Sequence, residues 1–220
     1  MPSESLLDRF GLPPAEIEQL SLGRLEQSAG HLLPTDPAAR RLVLRVLYAA
    51  GDPDLAAQVR LHPEAVQAGL AALRRGTPVV VDVQMVAAGL QRARLAQLGC
   101  EVVVAIDQPE ARRLADEARI TRAAAGVRLL APRLANAVVA IGNAPTALLA
   151  LLDALEDGAP PPAVILGLPV GMVAAAESKA ELLGRAVPYV TLLGTRGGSP
   201  LAAAALNALT EMALDPAHGG

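Results

Sequence analysis

The chain has 220 residues, is 52% hydrophobic, carries a formal charge of −3 and holds one cysteine, Cys100; that length suits one α/β domain with a substantial core, or two small ones. Aromatic residues are 1% of the chain, namely Phe10, Tyr48 and Tyr189, which with the negative charge excludes nucleic acid held by base stacking or by phosphate neutralisation alone. A lone cysteine excludes an internal disulfide and a cysteine zinc cluster.

Met1 to Phe10 is polar and charged, unlike a signal peptide. The apolar runs are broken by Asp, Asn, Pro or Gly short of a membrane span. A cytoplasmic protein with no membrane partner is expected. His31, His62 and His218 are too scattered for a local metal motif, so no metal site is expected.

Residues 1 to about 75 are predicted to be helical. Pro13-Pro14-Ala15-Glu16 opens one helix, with proline and an acid in the first turn. Thr35-Asp36-Pro37 opens a second that runs through Tyr48 to Ala50, where Gly51-Asp52-Pro53 breaks it. A third runs from Pro63 to Arg75 and stops at Gly76.

From Thr77 short apolar runs alternate with helical segments. Strands are predicted at 78–83, 101–106, 137–141, 162–166 and 188–193. Each is nearly continuous in apolar residues, as strands covered on both faces must be. The intervening helices are predicted at 86–98, 109–114, 145–155, 174–183 and 200–212. Five strand–helix units imply a doubly wound parallel sheet, a flavodoxin-like three-layer α/β/α domain. The expected organisation is one domain over 1–214, helical to 75 and doubly wound from 76, with 215–220 as a tail.

In such a sheet ligands bind beyond the carboxyl ends of the strands. The loop after the third predicted strand is Gly142-Asn143-Ala144-Pro145. Asn143 can cap there, and the helix start favours an anion. After the fourth comes Gly167-Leu168-Pro169-Val170-Gly171, leading to Lys179, the single lysine of the chain. Lys179 can take a carboxylate, or pair locally with Glu177 or Glu181. After the fifth comes Gly194-Thr195-Arg196-Gly197-Gly198-Ser199-Pro200. Arg196 and a capping Ser199 make a second anion-receptive start. Asp82 closes the first strand and can pair with a basic group or cap the next helix. Arg122 offers another exposed cation. Neither a Walker loop nor a dinucleotide fingerprint is present. These positions together describe a pocket for a small molecule bearing several carboxylates.

Several segments, in order, resemble the precorrin-8X methylmutase family. They are Glu16-Ile17-Glu18-Gln19-Leu20-Ser21, Asp82-Val83-Gln84-Met85-Val86, Thr121-Arg122, Gly142-Asn143-Ala144-Pro145-Thr146, Pro169-Val170-Gly171-Met172-Val173 with Glu177-Ser178-Lys179, and Arg196-Gly197-Gly198-Ser199. The resemblance implies a flavodoxin-like homodimer that works without a cofactor. It implies a 1,5-sigmatropic methyl shift from C11 to C12 of a carboxylate-bearing macrocycle, giving hydrogenobyrinate, or cobyrinate when cobalt is present. Ser21, Asp82, Arg122, Asn143, Lys179, Arg196 and Ser199 become the expected substrate contacts. Three positions depart from the family. Tyr48 stands where the family carries its proposed acid, a histidine; Leu20 replaces an arginine and Ala123 a serine. A phenol is a weaker acid than an imidazole by roughly 3.5 pKa units, yet it can donate a hydrogen bond to a ring nitrogen. Tyr48 is therefore the expected catalytic residue. The alternative is a corrinoid-binding relative that has lost the acid.

Overall fold

The computed structural model describes residues 5–215. The helical region contains α1 (Leu6–Phe10), α2 (Pro14–Ala29) and α3 (Pro37–Ala50). Asp36 caps α3 by accepting the Ala39 N–H at 2.8 Å, and Gly51 closes it in the left-handed conformation, with φ at 63°. The chain then makes a short 3-10 turn over Pro53–Gln58 and a strand, β1 (Val59–Leu61), before α4 (Ala65–Arg74).

The alternating region follows as β2 (Val79–Val81), α5 (Gln84–Ala88), α6 (Arg92–Gln97), β3 (Val102–Val104), α7 (Ala111–Ala118), α8 (Arg122–Leu130), β4 (Val138–Ile141), α9 (Pro145–Glu156), β5 (Val164–Gly167), α10 (Ala175–Leu183), β6 (Tyr189–Leu192) and α11 (Ser199–Leu214). All five predicted strands form, each shorter than predicted. The sheet has six strands in the order β1-β6-β5-β4-β2-β3. The sixth, β1, pairs antiparallel with β6, while every other pair is parallel. β1 lies in a stretch predicted to be helical, because three residues are too few to display a period.

Alternate strand residues feed two cores, as a period of two requires. Val79, Val81, Val138, Ala140, Val164, Leu166, Val190 and Leu192 pack with α3, α4 and α11 on one face. Val80, Val139, Ile141 and Ile165 pack with α8 and α9 on the other.

Two further predictions are corrected. The helix expected over 86–98 is two helices. Asn207 on α11 holds the break open, its Oδ1 accepting the Gln91 N–H at 3.0 Å and its Nδ2 donating to the Gly89 carbonyl at 2.9 Å. The stretch between the helix predicted at 109–114 and the strand predicted at 137–141, to which no element was assigned, contains helix α8, opened by Arg122 and capped by Thr121 Oγ1, which accepts the Ala124 N–H at 3.2 Å. Of the expected tail, Asp215 is ordered against Met212 and Arg41; 216–220, with His218, lie outside the described residues.

Candidate functional site

β2 and β4 are neighbours, and the chain leaves β2 toward β3 on one side and β4 toward β5 on the other, so the two connections part and open a crevice at the carboxyl edge. Asp82 follows β2 at this point and is fully buried. Its Oδ1 accepts the Gly142 N–H at 3.0 Å, and its Oδ2 accepts those of Asn143 and Ala144, each at 2.8 Å. The start of α9 is thus already occupied by a carboxyl group of the chain itself. Burial pushes the Asp82 carboxyl up, and the three donors pull it back only in part. Asp82 binds loop backbone and presents nothing to a ligand. Asn143 does not cap α9; Ala144 holds that position, with no side-chain cap. Gly142 is required by contact: an added Cβ would come within 2.8 Å of Ser199 Cα and of Val86 Cγ2.

Lys179 is also fully buried. Its Nζ donates to the Pro169 carbonyl at 3.1 Å and the Arg196 carbonyl at 2.5 Å. The alternative of a local pair with Glu177 or Glu181 does not form either: the ammonium's partners are these two carbonyls, and Glu181 faces Arg185 at 3.5 Å. Burial lowers the Lys179 pKa from 10.5 to about 8. Lys179 therefore joins the loops after β5 and β6 and does not itself reach a ligand.

Arg196 is half-exposed, with Nη2 lying 2.6 Å from Asp52 Oδ2. The guanidinium, followed by the Asp54 N–H, holds the Asp52 carboxyl below its ordinary range. This pair ties the loop after β6 to the end of α3. Two cavities flank that end. One, of about 300 Å³, is lined by Ala49, Ala50, Val170, Arg196, Gly197 and Pro200 among others. The other, of about 270 Å³, is lined by Ser21, Arg24, Ser28, Leu47, Tyr48 and Gly51 among others. Tyr48 is 39% exposed. Ser21 and Tyr48 are thus brought together, with Arg196 across the α3 terminus.

Arg24, in the same lining, is a cation that no sequence motif pointed to. It follows Ser21 by three residues on α2 and so shares its face, a spacing that was readable. Ser199 is not the cap of α11, a position held by Gly198, and Ser199 Oγ is buried without a hydrogen-bond partner. Arg122 is exposed at the start of α8, beside the contact between Thr121 Oγ1 and Thr146 Oγ1 at 2.7 Å. Apolar side chains crowd the same edge: Met85 after β2, and Val170, Met172 and Val173 after β5, are exposed, Met172 at 89%. Among the described residues, no three or more His, Cys, Asp or Glu converge as metal ligands. No helix among them is long and apolar enough to cross a membrane.

The precorrin-8X methylmutase family model matches residues 16–212. A precorrin-8X methylmutase of a Sinorhizobium species is 47% identical over 175 residues, covering 79% of this chain and 83% of its own. A cobalt-precorrin-8 methylmutase of Priestia megaterium is 39% identical over 200 residues, covering 91% and 88%. The crystal structure of a precorrin-8X methylmutase from Thermus thermophilus superposes with a TM-score of 0.82 at 39% identity, covering 91% of this chain and 98% of that one. Fold and likeness together define a methyl-shifting isomerase of cobalamin biosynthesis. The chain belongs to the precorrin-8X methylmutase family.

Proposed function

We propose that this protein moves a methyl group from C11 to C12 of precorrin-8X, or of its cobalt form, giving hydrogenobyrinate or cobyrinate. The single observation that carries the reading to residues is the placement of Tyr48 and Arg196 on either side of the α3 terminus, each beside a cavity. A macrocycle with carboxylate arms needs cations at its rim and an apolar surface for its faces. Arg196, Arg122 and Arg24 supply the first, and Val170, Met172 and Met85 the second.

Tyr48 donates its phenolic O–H to a ring nitrogen and polarises the ring. The methyl then migrates within one molecule, its old bond to C11 breaking as the bond to C12 forms, with no external acceptor. Holding the ring in the reactive geometry supplies the remainder of the rate. Ser21 holds an arm on the Tyr48 side. Ser199 joins the substrate contacts only if the Gly197–Ser199 turn shifts, since its hydroxyl is turned away from solvent. Asn143, partly exposed beside the crevice, contributes its side-chain amide. No cofactor takes part.

The domain is flavodoxin-like; supporting this, its parallel strands run β3-β2-β4-β5-β6, with β1 added at the edge. The protein acts as a cytoplasmic homodimer. Supporting this, α1 buries none of its residues, and Leu6, Leu7 and Phe10 are each at least 70% exposed.

The test is conversion of precorrin-8X, followed by absorbance. Turnover by the wild type supports the proposal. Tight binding of hydrogenobyrinate with no turnover means instead a corrinoid-binding relative.

A further inference from the structure

Lys179 is the only lysine in the chain and sits wholly inside it. A buried ammonium is costly unless paired. Yet among the described residues no carboxylate is paired with it, and its hydrogen-bond partners are two backbone carbonyls. A space that only needed filling would suit leucine or methionine better. The two carbonyls identify what the charge is for. Pro169 lies in the loop after β5 and Arg196 in the loop after β6, and both loops wall the 300 Å³ cavity. The same loops are joined by Gly198 N–H to the Leu168 carbonyl at 2.8 Å and Gly171 N–H to the Thr195 carbonyl at 3.1 Å. Gly197 permits this approach, since a Cβ there would fall 2.4 Å from the Leu168 oxygen. Arg196 is therefore held at both ends, its carbonyl by Lys179 and its guanidinium by Asp52.

We infer that Lys179 is a positioning residue: through the Arg196 carbonyl it fixes the turn that presents the guanidinium, and so sets affinity for substrate carboxylates without touching them. This rests on Arg196 binding a carboxylate arm, as proposed above. The ammonium also adds positive potential beneath the turn, where a low dielectric makes it count.

A double-mutant cycle on hydrogenobyrinate binding tests it. Arg196→Gln weakens binding by about 10- to 100-fold, the scale of a charge-assisted hydrogen bond. Lys179→Met weakens it by about 5- to 30-fold in the wild type, and by less than about 2-fold when Arg196 is already Gln. In turnover it raises KM and leaves kcat alone, because the contact acts equally in ground and transition states. Equal weakening by Lys179→Met in both backgrounds overturns the inference, since the lysine then supports the fold at large. No effect of Arg196→Gln removes instead the underlying reading of Arg196. A second readout needs no lysine variant. With ¹³Cε-labelled lysine the wild type gives one side-chain resonance. That resonance moves on adding hydrogenobyrinate to the wild type and stays fixed in Arg196→Gln. A resonance that does not move in the wild type also overturns the inference.

Discussion

Arg196 Nη2 sits 2.6 Å from Asp52 Oδ2, joining the last parallel strand's loop to the residue just past the helix that carries Tyr48. The two sides of the site, to which the proposal assigns anion binding and proton donation, are thus one mechanical piece. Replacing Arg196 by Ala is expected to weaken product binding about 10- to 100-fold. It also releases Asp52, whose carboxyl is held down first by this guanidinium. The Asp52 titration, followed by NMR, moves up in the variant. Because the folded pKa is depressed, the ion pair's support is present at neutral pH and is lost as pH falls through that pKa.

Tyr48→Phe removes the phenolic donor and keeps the ring. Loss of one donor at a charge-developing atom costs about 100- to 1,000-fold in kcat. Tyr48→His restores a stronger acid and raises the rate above that of Phe. A Phe variant as fast as the wild type would show that another group donates.

Asp82→Ala leaves the three N–H groups of Gly142, Asn143 and Ala144 without their acceptor. Each lost partner in a buried setting costs about 1–3 kcal/mol, and relaxation absorbs part of the sum. Denaturant melts should show a loss of about 2–5 kcal/mol, with Asp82→Asn between it and the wild type.

Lys179 sets a pH dependence of stability with an unusual sign. Its folded pKa is about 8 against 10.5. Between those values the unfolded chain binds more protons, so stability rises with pH. Below about pH 8 both states are protonated and the buried charge is borne in full. Unfolding free energies measured at pH 7.5 and 9.5 should differ more for the wild type than for Lys179→Met, by on the order of 1–3 kcal/mol. Equal differences would mean that the ammonium is better solvated than its burial implies.

The mass in solution should be near twice the 22.5 kDa of the chain. Charging Leu7 and Phe10 together, as Leu7→Glu and Phe10→Glu, should halve it without disturbing either core, since α1 buries none of its residues. Light scattering that gives the monomer mass for the unmodified chain at micromolar concentration refutes the dimer.

The alternating region was readable because its strands are β-branched, continuous and bounded by helix starts; in Val79-Val80-Val81 and Val138-Val139-Ala140-Ile141 the short length and β-branched content decide for strand over buried helix. What escaped was decided by distant partners. β1 exists only through Leu192, Thr191 and Val190 opposite it. The break between α5 and α6 is held by Asn207, which lies 116 residues beyond Gln91. For the site, residue type announced charge but not direction. Asp82 and Lys179 read as ligand groups, and each turns inward to hold the loops that Asn143 and Arg196 occupy. Nothing local in a sequence distinguishes a charge that meets substrate from one that aligns its neighbour.

The pairing of β1 with β6 has a consequence for how the molecule opens. β1 is an outer strand of three residues, and the segment that feeds it begins at Asp52, the partner of Arg196. Peeling that strand from the sheet therefore slackens the tether on both halves of the pocket at once. Edge fraying, the cheapest local unfolding available to a sheet, here draws on the first core as well, because Val59 and Leu61 pack against it and Leu55 and Ala56 of the feeding segment belong to it, so the tether and that core loosen together.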